Sequence, residues 1–283
     1  HTTMLAYRHA FHAGNHADVL KHLVLTQVLR YLGEKDKPYW LIDTHAGAGG
    51  YALHSRHAQQ HAEYLDGIGR LVERDDLPPV VDDYVEIVRQ HNPSGVLKHY
   101  PGSPEFALAL LRPQDRLRLY ELHPTDHRTL ARSFGGQPHV EVHAADGFAA
   151  LKSQLPPPSR RAAVLMDPPY ELKADYGKVV TAMREAVQRF AEGVYMVWYP
   201  QLPRLESQQL PQRLKGVAPK GWLHVRMTVA RPVEAGYGLL GSGMFVINPP
   251  WVLHDTLAEV LPWLTEVLAQ YDGASYLLEQ HAV

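Results

Sequence analysis

The residues best placed to do chemistry are Asp167-Pro168-Pro169-Tyr170. The five apolar residues before them, Ala162-Ala163-Val164-Leu165-Met166, show no alternation, which suits a strand buried on both faces. Two prolines stop the ladder because neither donates a backbone hydrogen bond. A carboxylate, two proline carbonyls and an aromatic ring therefore gather at the C-terminal end of a buried strand, the edge at which open α/β sheets bind ligands. Such a tetrad can hold an exocyclic amine. Two acceptors, Asp167 and the Pro168 carbonyl, take the amine protons, and the Tyr170 ring offers a surface for the base to stack on.

The elements that must position the tetrad read as an α/β chain. The first strand, 39–43, ends in Asp43 and runs into Thr44-His45-Ala46-Gly47-Ala48-Gly49-Gly50, whose small residues allow a ligand close to the backbone. A second strand at 117–120 ends in Glu121, an acid suited to ribose hydroxyls. A third, 139–144, ends in Asp146-Gly147, where a carboxylate can accept the protons of a cofactor adenine. Ser103-Pro104-Glu105 reads as the N-cap and first turn of a helix beside the glycine loop. Strands at 194–199, 223–229 and 244–247 make seven in all, and 255–270 is a terminal helix. Acids closing the first three strands, with the tetrad closing the fourth, point to a Rossmann-like sheet of the kind that uses S-adenosylmethionine (SAM) to methylate nitrogen on adenine. The glycine loop alone says little, since Gly-x-Gly-x-x-Gly is not completed; Ala52 stands where the third glycine would be.

Between 51 and 98 the plain βαβ order is interrupted. Leu65, Ile68 and Val72 suggest one helix and Val81, Tyr84, Val85 and Val88 another, so this stretch reads as a small helical insertion into a domain formed by 4–50 and 99–283. A helix over 17–32 has Leu20, Leu23, Val24 and Val28 on one face. Lys21 and His22 near its start read as ordinary solvated residues. The preceding arm interleaves Arg8, His9, His12 and His16 with Tyr7 and Phe11, a pattern that suits either RNA contact or simple packing over the fold. His12 and His16 at i, i+4 spacing lack a third metal ligand in the sequence, so no metal is expected. Asn248-Pro249-Pro250-Trp251 repeats the tetrad pattern. It closes the last strand, far along the sheet from the glycine loop, and reads as a turn.

Composition narrows the function classes. The 283 residues are 45% hydrophobic, enough for one large domain. Zero cysteines exclude disulfides, thiolate zinc sites and a cysteine nucleophile. The formal net charge of −2 gives no global field for nucleic acid, so RNA contact must come from a local patch. No stretch approaches the roughly 20 apolar residues of a membrane span. A cytoplasmic location without membrane association is expected.

With Tyr7-Arg8-His9, Phe11 to Asp18, Asp43 to Gly49, Tyr100 to Pro104, Glu121-Leu122-His123-Pro124, Asp146-Gly147 and the tetrad in view, the chain resembles the RlmJ-type 23S ribosomal RNA adenine-N6 methyltransferases. The resemblance implies SAM as cofactor, held by His22, His45, Ser103, Glu121, Asp146, Gly147 and Asp167. It implies Asp167 as catalytic acceptor with Pro168 and Tyr170, and Tyr7, Arg8 and Lys21 toward the substrate. The implied partner is 23S rRNA, naked or in early assembly, methylated by a monomer at one adenine (position 2030 in the family). Rival readings are a DNA adenine methyltransferase, which would normally carry a separate duplex-reading element, and a catalytically silent SAM- or RNA-binding module. A guanine-N2 or glutamine-N5 enzyme usually has Asn at the position of Asp167.

Overall fold

The protein is described here by a computed structural model that covers residues 12–231 and 239–282. Among the described residues the main sheet has eight strands: β1 (Trp40–Asp43), β4 (Arg116–Tyr120), β5 (Val140–His143), β6 (Ala162–Met166), β7 (Val194–Gln201), β8 (Trp222–Thr228), β9 (Gly241–Ile247) and β10 (Ser275–His281). Two short strands, β2 (Gly50–Ala52) and β3 (His99–Pro101), pair as a separate ribbon. Across the sheet the order is β10-β8-β9-β7-β6-β1-β4-β5. The five strands from β7 to β5 run parallel, and β9, β8 and β10 complete the sheet in antiparallel fashion.

This is the Rossmann-like arrangement expected from the sequence, with one more strand than the seven expected. The eighth, β10, pairs only with β8 and leaves most of its side chains exposed. An edge strand covered so thinly needs neither an apolar run nor strict alternation, so its sequence carries no strand signal. By contrast β6 is buried at all five positions, as its unbroken apolar run requires.

The first described helix, α1 (His16–Leu32), differs from its expected character. It is buried on almost every side, 13 of its 17 residues included, rather than along one stripe. Lys21 and His22 are therefore buried, not solvated. The cause is tertiary: α1 passes over the sheet at β9 and is also covered by α3 (Pro79–Gln90) and by α4 (Ser103–Leu110).

The stretch between β1 and α4 contains α2 (Arg56–His61), two short 3-10 turns at Glu63–Asp66 and Ile68–Arg70 in place of the helix expected around Ile68, and α3, with the β2–β3 ribbon flanking them. Its apolar side chains Ile68, Leu71, Val81, Tyr84, Val85 and Val88 join the same core as α1 and one face of the main sheet. The remaining helices, α5 (Pro124–Phe134), α6 (Gly147–Gln154), α7 (Lys173–Arg189), α8 (Leu205–Lys215) and α9 (Leu253–Leu268), connect successive strands. Among the described residues, no helix is long and apolar enough to cross a membrane.

Candidate active site

Register fixes the centre of the site. β1 lies between β4 and β6, with Asp43 opposite Leu165 and Leu119. The Thr44 N–H donates to Leu165 O at 3.0 Å. Asp43 and Asp167 thus leave neighbouring strands on the same edge, two residues beyond the last shared rung in the case of Asp167.

Asp43 is fully buried. Its Oδ2 accepts the Ser103 hydroxyl at 2.5 Å, and the backbone N–H of His45 is turned toward the same carboxyl group. Burial raises its pKa to about 7, against the pull of the Ser103 hydrogen bond; the charge of nearby Asp167 raises it further. Local rules make Ser103 the cap of α4. Instead Gly102 is the cap residue, and the Ser103 hydroxyl turns to Asp43. The helix start is held by backbone contact with the glycine loop, Gly102 N to Gly49 O at 2.9 Å. The approach is so close that a Cβ on Gly102 would lie 2.6 Å from Gly49 O.

Asp167 is ion-paired with Lys21 Nζ, which reaches from α1 across 146 residues of sequence. The same ammonium lies 3.2 Å from Asp18 Oδ1 and 5.4 Å from the centre of the Trp198 ring. Burial alone would lower the Lys21 pKa. The two carboxylates outweigh it and hold the ammonium above its ordinary value. Asp18 is itself fixed at the helix start. Its N–H donates to the Asn15 cap at 2.9 Å, and its Oδ2 accepts from Gly14 N at 2.9 Å. Lys21, Asp167, Pro168, Pro169 and Tyr170 line one cleft with Asp18, Trp198 and Arg204.

Tyr170 has its backbone in the left-handed region, φ +54°. Its hydroxyl donates to Trp198 O at 2.6 Å and its ring packs on Tyr176, so it is almost wholly buried. The ring is pinned beneath the cleft, leaving little of it exposed to a base.

The other expected cofactor residues fall along the same edge. Glu121 accepts from Gly47 N and from His123 N, each at 2.9 Å, so its carboxylate clasps the glycine loop. Asp146 is exposed and caps α6 through Phe148 N at 3.0 Å. Gly147 presses on Thr44, whose carbonyl oxygen would lie 1.8 Å from an added Cβ; any side chain there would push β1's loop away. His45 hydrogen-bonds Thr44 Oγ1 through Nδ1 at 2.8 Å and meets the edge of Phe148. His22 stacks on Phe106 with ring centres 4.5 Å apart, and its Nδ1 is 2.6 Å from Tyr100 Oη, which meets Tyr84 Oη of α3 at 2.9 Å. His22 therefore sits inside a ring cluster. Tyr7 and Arg8 lie outside the described residues.

Sequence reasoning gives no role to Asp18, Trp198 or Arg204. Asp18 and Lys21 at i, i+3 carry a usable signal; Trp198 and Arg204 carry none. His12 and His16 have separate partners, Glu63 at 2.6 Å and Leu239 O at 3.0 Å. Asn248 uses its amide to close a turn, donating to Ala191 O at 2.7 Å and Gly193 O at 2.8 Å, as its reading as a strand-ending turn requires.

Residues 36–278 match the family model described as Ribosomal RNA large subunit methyltransferase D, RlmJ. The chain is 48% identical over 261 residues to Ribosomal RNA large subunit methyltransferase J of Escherichia coli (strain K12), which covers 92% of this chain and 93% of that protein. It is 44% identical over 277 residues to the protein of the same name from Haemophilus influenzae (strain ATCC 51907 / DSM 11121 / KW20 / Rd), covering 98% of each. The crystal structure of protein LPL1258 from Legionella pneumophila str. Philadelphia 1 superposes with a TM-score of 0.88 at 36% identity, over 95% of this chain and 98% of that one.

Proposed function

We propose, from the premise that this chain belongs to the RlmJ family of large-subunit ribosomal RNA methyltransferases, that it methylates the exocyclic N6 of one adenine in 23S rRNA. In this reading it is a cytoplasmic monomer acting on naked or early-assembly RNA at the family's adenine 2030. The observation that carries the choice of nitrogen is the tetrad: a carboxylate and a proline carbonyl at the end of β6, beside the closing acid of β1.

The pocket's charges fit SAM. The carboxyl groups of Asp18, Asp43 and Asp167 gather around the Lys21 ammonium, and those of Glu121 and Asp146 stand along the same edge. A cofactor bearing a sulfonium and an α-ammonium suits such an acidic lining. SAM would be held by Ser103 and His45 at the loops, by Glu121 and Asp146–Gly147 along the edge, and by Asp167 and His22 on the inner side. Bound there, it supplies an electrophilic methyl group.

The chain's own residues prepare the nucleophile. Adenine N6 is weak because its lone pair is delocalised into the ring. Accepting its N–H protons at Asp167 and the Pro168 carbonyl localises that pair. Asp167 then takes the proton shed on transfer. Lys21 keeps a positive charge against Asp167 while the base is absent and orients the carboxylate when it arrives. The base reaches the cleft only unstacked from its neighbours, with Pro169 and Tyr170 beneath it. Tyr7 and Arg8 remain proposed RNA contacts.

The test is to incubate the protein with 23S transcripts, duplex DNA and methyl-labelled SAM, then digest and identify the labelled nucleoside. N6-methyladenosine at one RNA position is expected. Label in DNA, or on guanine N2, would overturn the assignment. Failure to transfer to any pool would favour a silent binding module.

A further inference from the structure

Two loops rise past the edge of the sheet at the mouth of the cleft. One follows β6 and carries Leu172-Lys173; the other follows β7 and carries Arg204-Leu205. They stand side by side. Arg204 Nη1 donates to Tyr170 O at 3.3 Å, and Lys173 Nζ lies 3.9 Å from Glu206 Oε1. Both leucines are turned outward, 61% and 60% exposed. A single exposed leucine needs no explanation, but two on adjoining loops beside the cleft that holds Asp167 do. Arg204 has no carboxylate in ion-pair range among the described residues, although it lines the cleft. Apolar tips flanked by cations are the combination that RNA asks for when one base leaves its stack. The gap needs an apolar filler, and the backbone at the gap brings phosphates.

We propose that Leu172 and Leu205 form an apolar rim that packs against the nucleotides flanking the flipped adenine, with Arg204 meeting the phosphate between them. This rests on the reading of the chain as an adenine methyltransferase and names the part of the surface that opens the RNA. The rim is continuous with the target cleft through Tyr170 and Arg204, which is why RNA rather than a protein is its occupant.

The test compares wild type, the double variant L172S/L205S and the conservative double variant L172M/L205M on a 23S fragment containing the target. The serine variant should raise the KM for RNA by about tenfold, the scale of one lost stacking contact. Its melting temperature and its affinity for S-adenosylhomocysteine should stay at wild-type values. The methionine variant should restore the KM. With 2-aminopurine at the target position, the fluorescence gained on binding should fall in the serine variant alone. An unchanged RNA KM in the serine variant, with wild type active, would overturn the rim and assign the leucines to a protein partner. If wild type itself forms no N6-methyladenosine, the underlying reading fails instead.

Discussion

The chain carries two copies of one short pattern, Asp167-Pro168-Pro169-Tyr170 and Asn248-Pro249-Pro250-Trp251, and they do different work. Each closes a buried strand, and each contains one residue in the left-handed region, Tyr170 at φ +54° and Asn248 at φ +56°. The first follows a parallel strand, so it opens on the ligand edge, next to Asp43. Its carboxylate meets a buried ammonium, and its aromatic ring is buried and hydrogen-bonded. The second follows β9, which runs antiparallel to β7, and so opens on the opposite edge. Its amide is used up on two backbone carbonyls, and Trp251 is 80% exposed. The pattern supplies acceptors and a chain stop. Strand direction and the neighbouring helix decide whether those acceptors become a site.

The largest effect that would break this contrast is at Asp167. Replacing it with Asn keeps the shape and removes the charge. Methyl transfer should fall by about 10³-fold, within the range of a lost general base, while the protein still folds. Near-full turnover in a folded D167N protein would leave Asp167 no part in the reaction. Lys21→Met comes next. Turnover should drop by about 10- to 100-fold, the low end for a group that orients and balances a catalytic carboxylate. The fold should lose about 3 kcal/mol by chemical denaturation, because the buried Asp167 carboxylate loses the ammonium that pairs with it. An unaltered stability would mean that water already screens the pair.

How far the sequence reveals the site depends on how local each cause is. The β6 run and the proline stop are local, and Asp167 can be placed from them alone. The acids ending β1, β4 and β5 follow from strand order. Lys21 cannot be placed, because its partner is 146 residues away and its helix is covered by elements that periodicity does not describe. Ser103 reads as a helix cap on local rules that hold for most serines; the buried acid on a different strand takes its hydroxyl instead. The edge strand β10 and the rim residue Arg204 leave no trace, since neither exposure nor a lone cation has a period.

Asp43 sharpens the contrast through pH. Its pKa in the fold is about 7, above the ordinary 3.8, because burial disfavours the charged form. A carboxyl raised in this way contributes stability that is complete below about pH 4. That stability is lost as pH rises, until about pH 7. Asp43→Asn has no charge to desolvate and keeps a partner for Ser103. The variant should therefore match wild type near pH 4 and exceed it by about 4 kcal/mol at pH 8, measured by denaturation without cofactor. At pH 8 it should also bind S-adenosylhomocysteine, through its α-ammonium, about tenfold more weakly. A stability difference that does not grow with pH would show Asp43 to be ionised throughout, with its buried Oδ1 reached by water.

The smallest effects belong to the second tetrad. Asn248→Ala removes two hydrogen bonds to backbone carbonyls and puts alanine at a positive φ that asparagine tolerates better. The cost should be about 2 kcal/mol of stability, with kcat and the KM for RNA unchanged. Trp251→Ser, at an exposed position, should move stability by less than about 0.5 kcal/mol. The stronger challenge is Asn248→Asp, which makes the two tetrads alike in their acid. A carboxylate cannot donate to Ala191 O and Gly193 O, so this variant should be destabilised more than the alanine. It should still methylate nothing from that edge, because no Lys21, Asp43 or glycine loop stands beside it. Transfer that is lost in D167N and regained when Asn248→Asp is added would mean that the pattern, rather than its place in the sheet, makes the site.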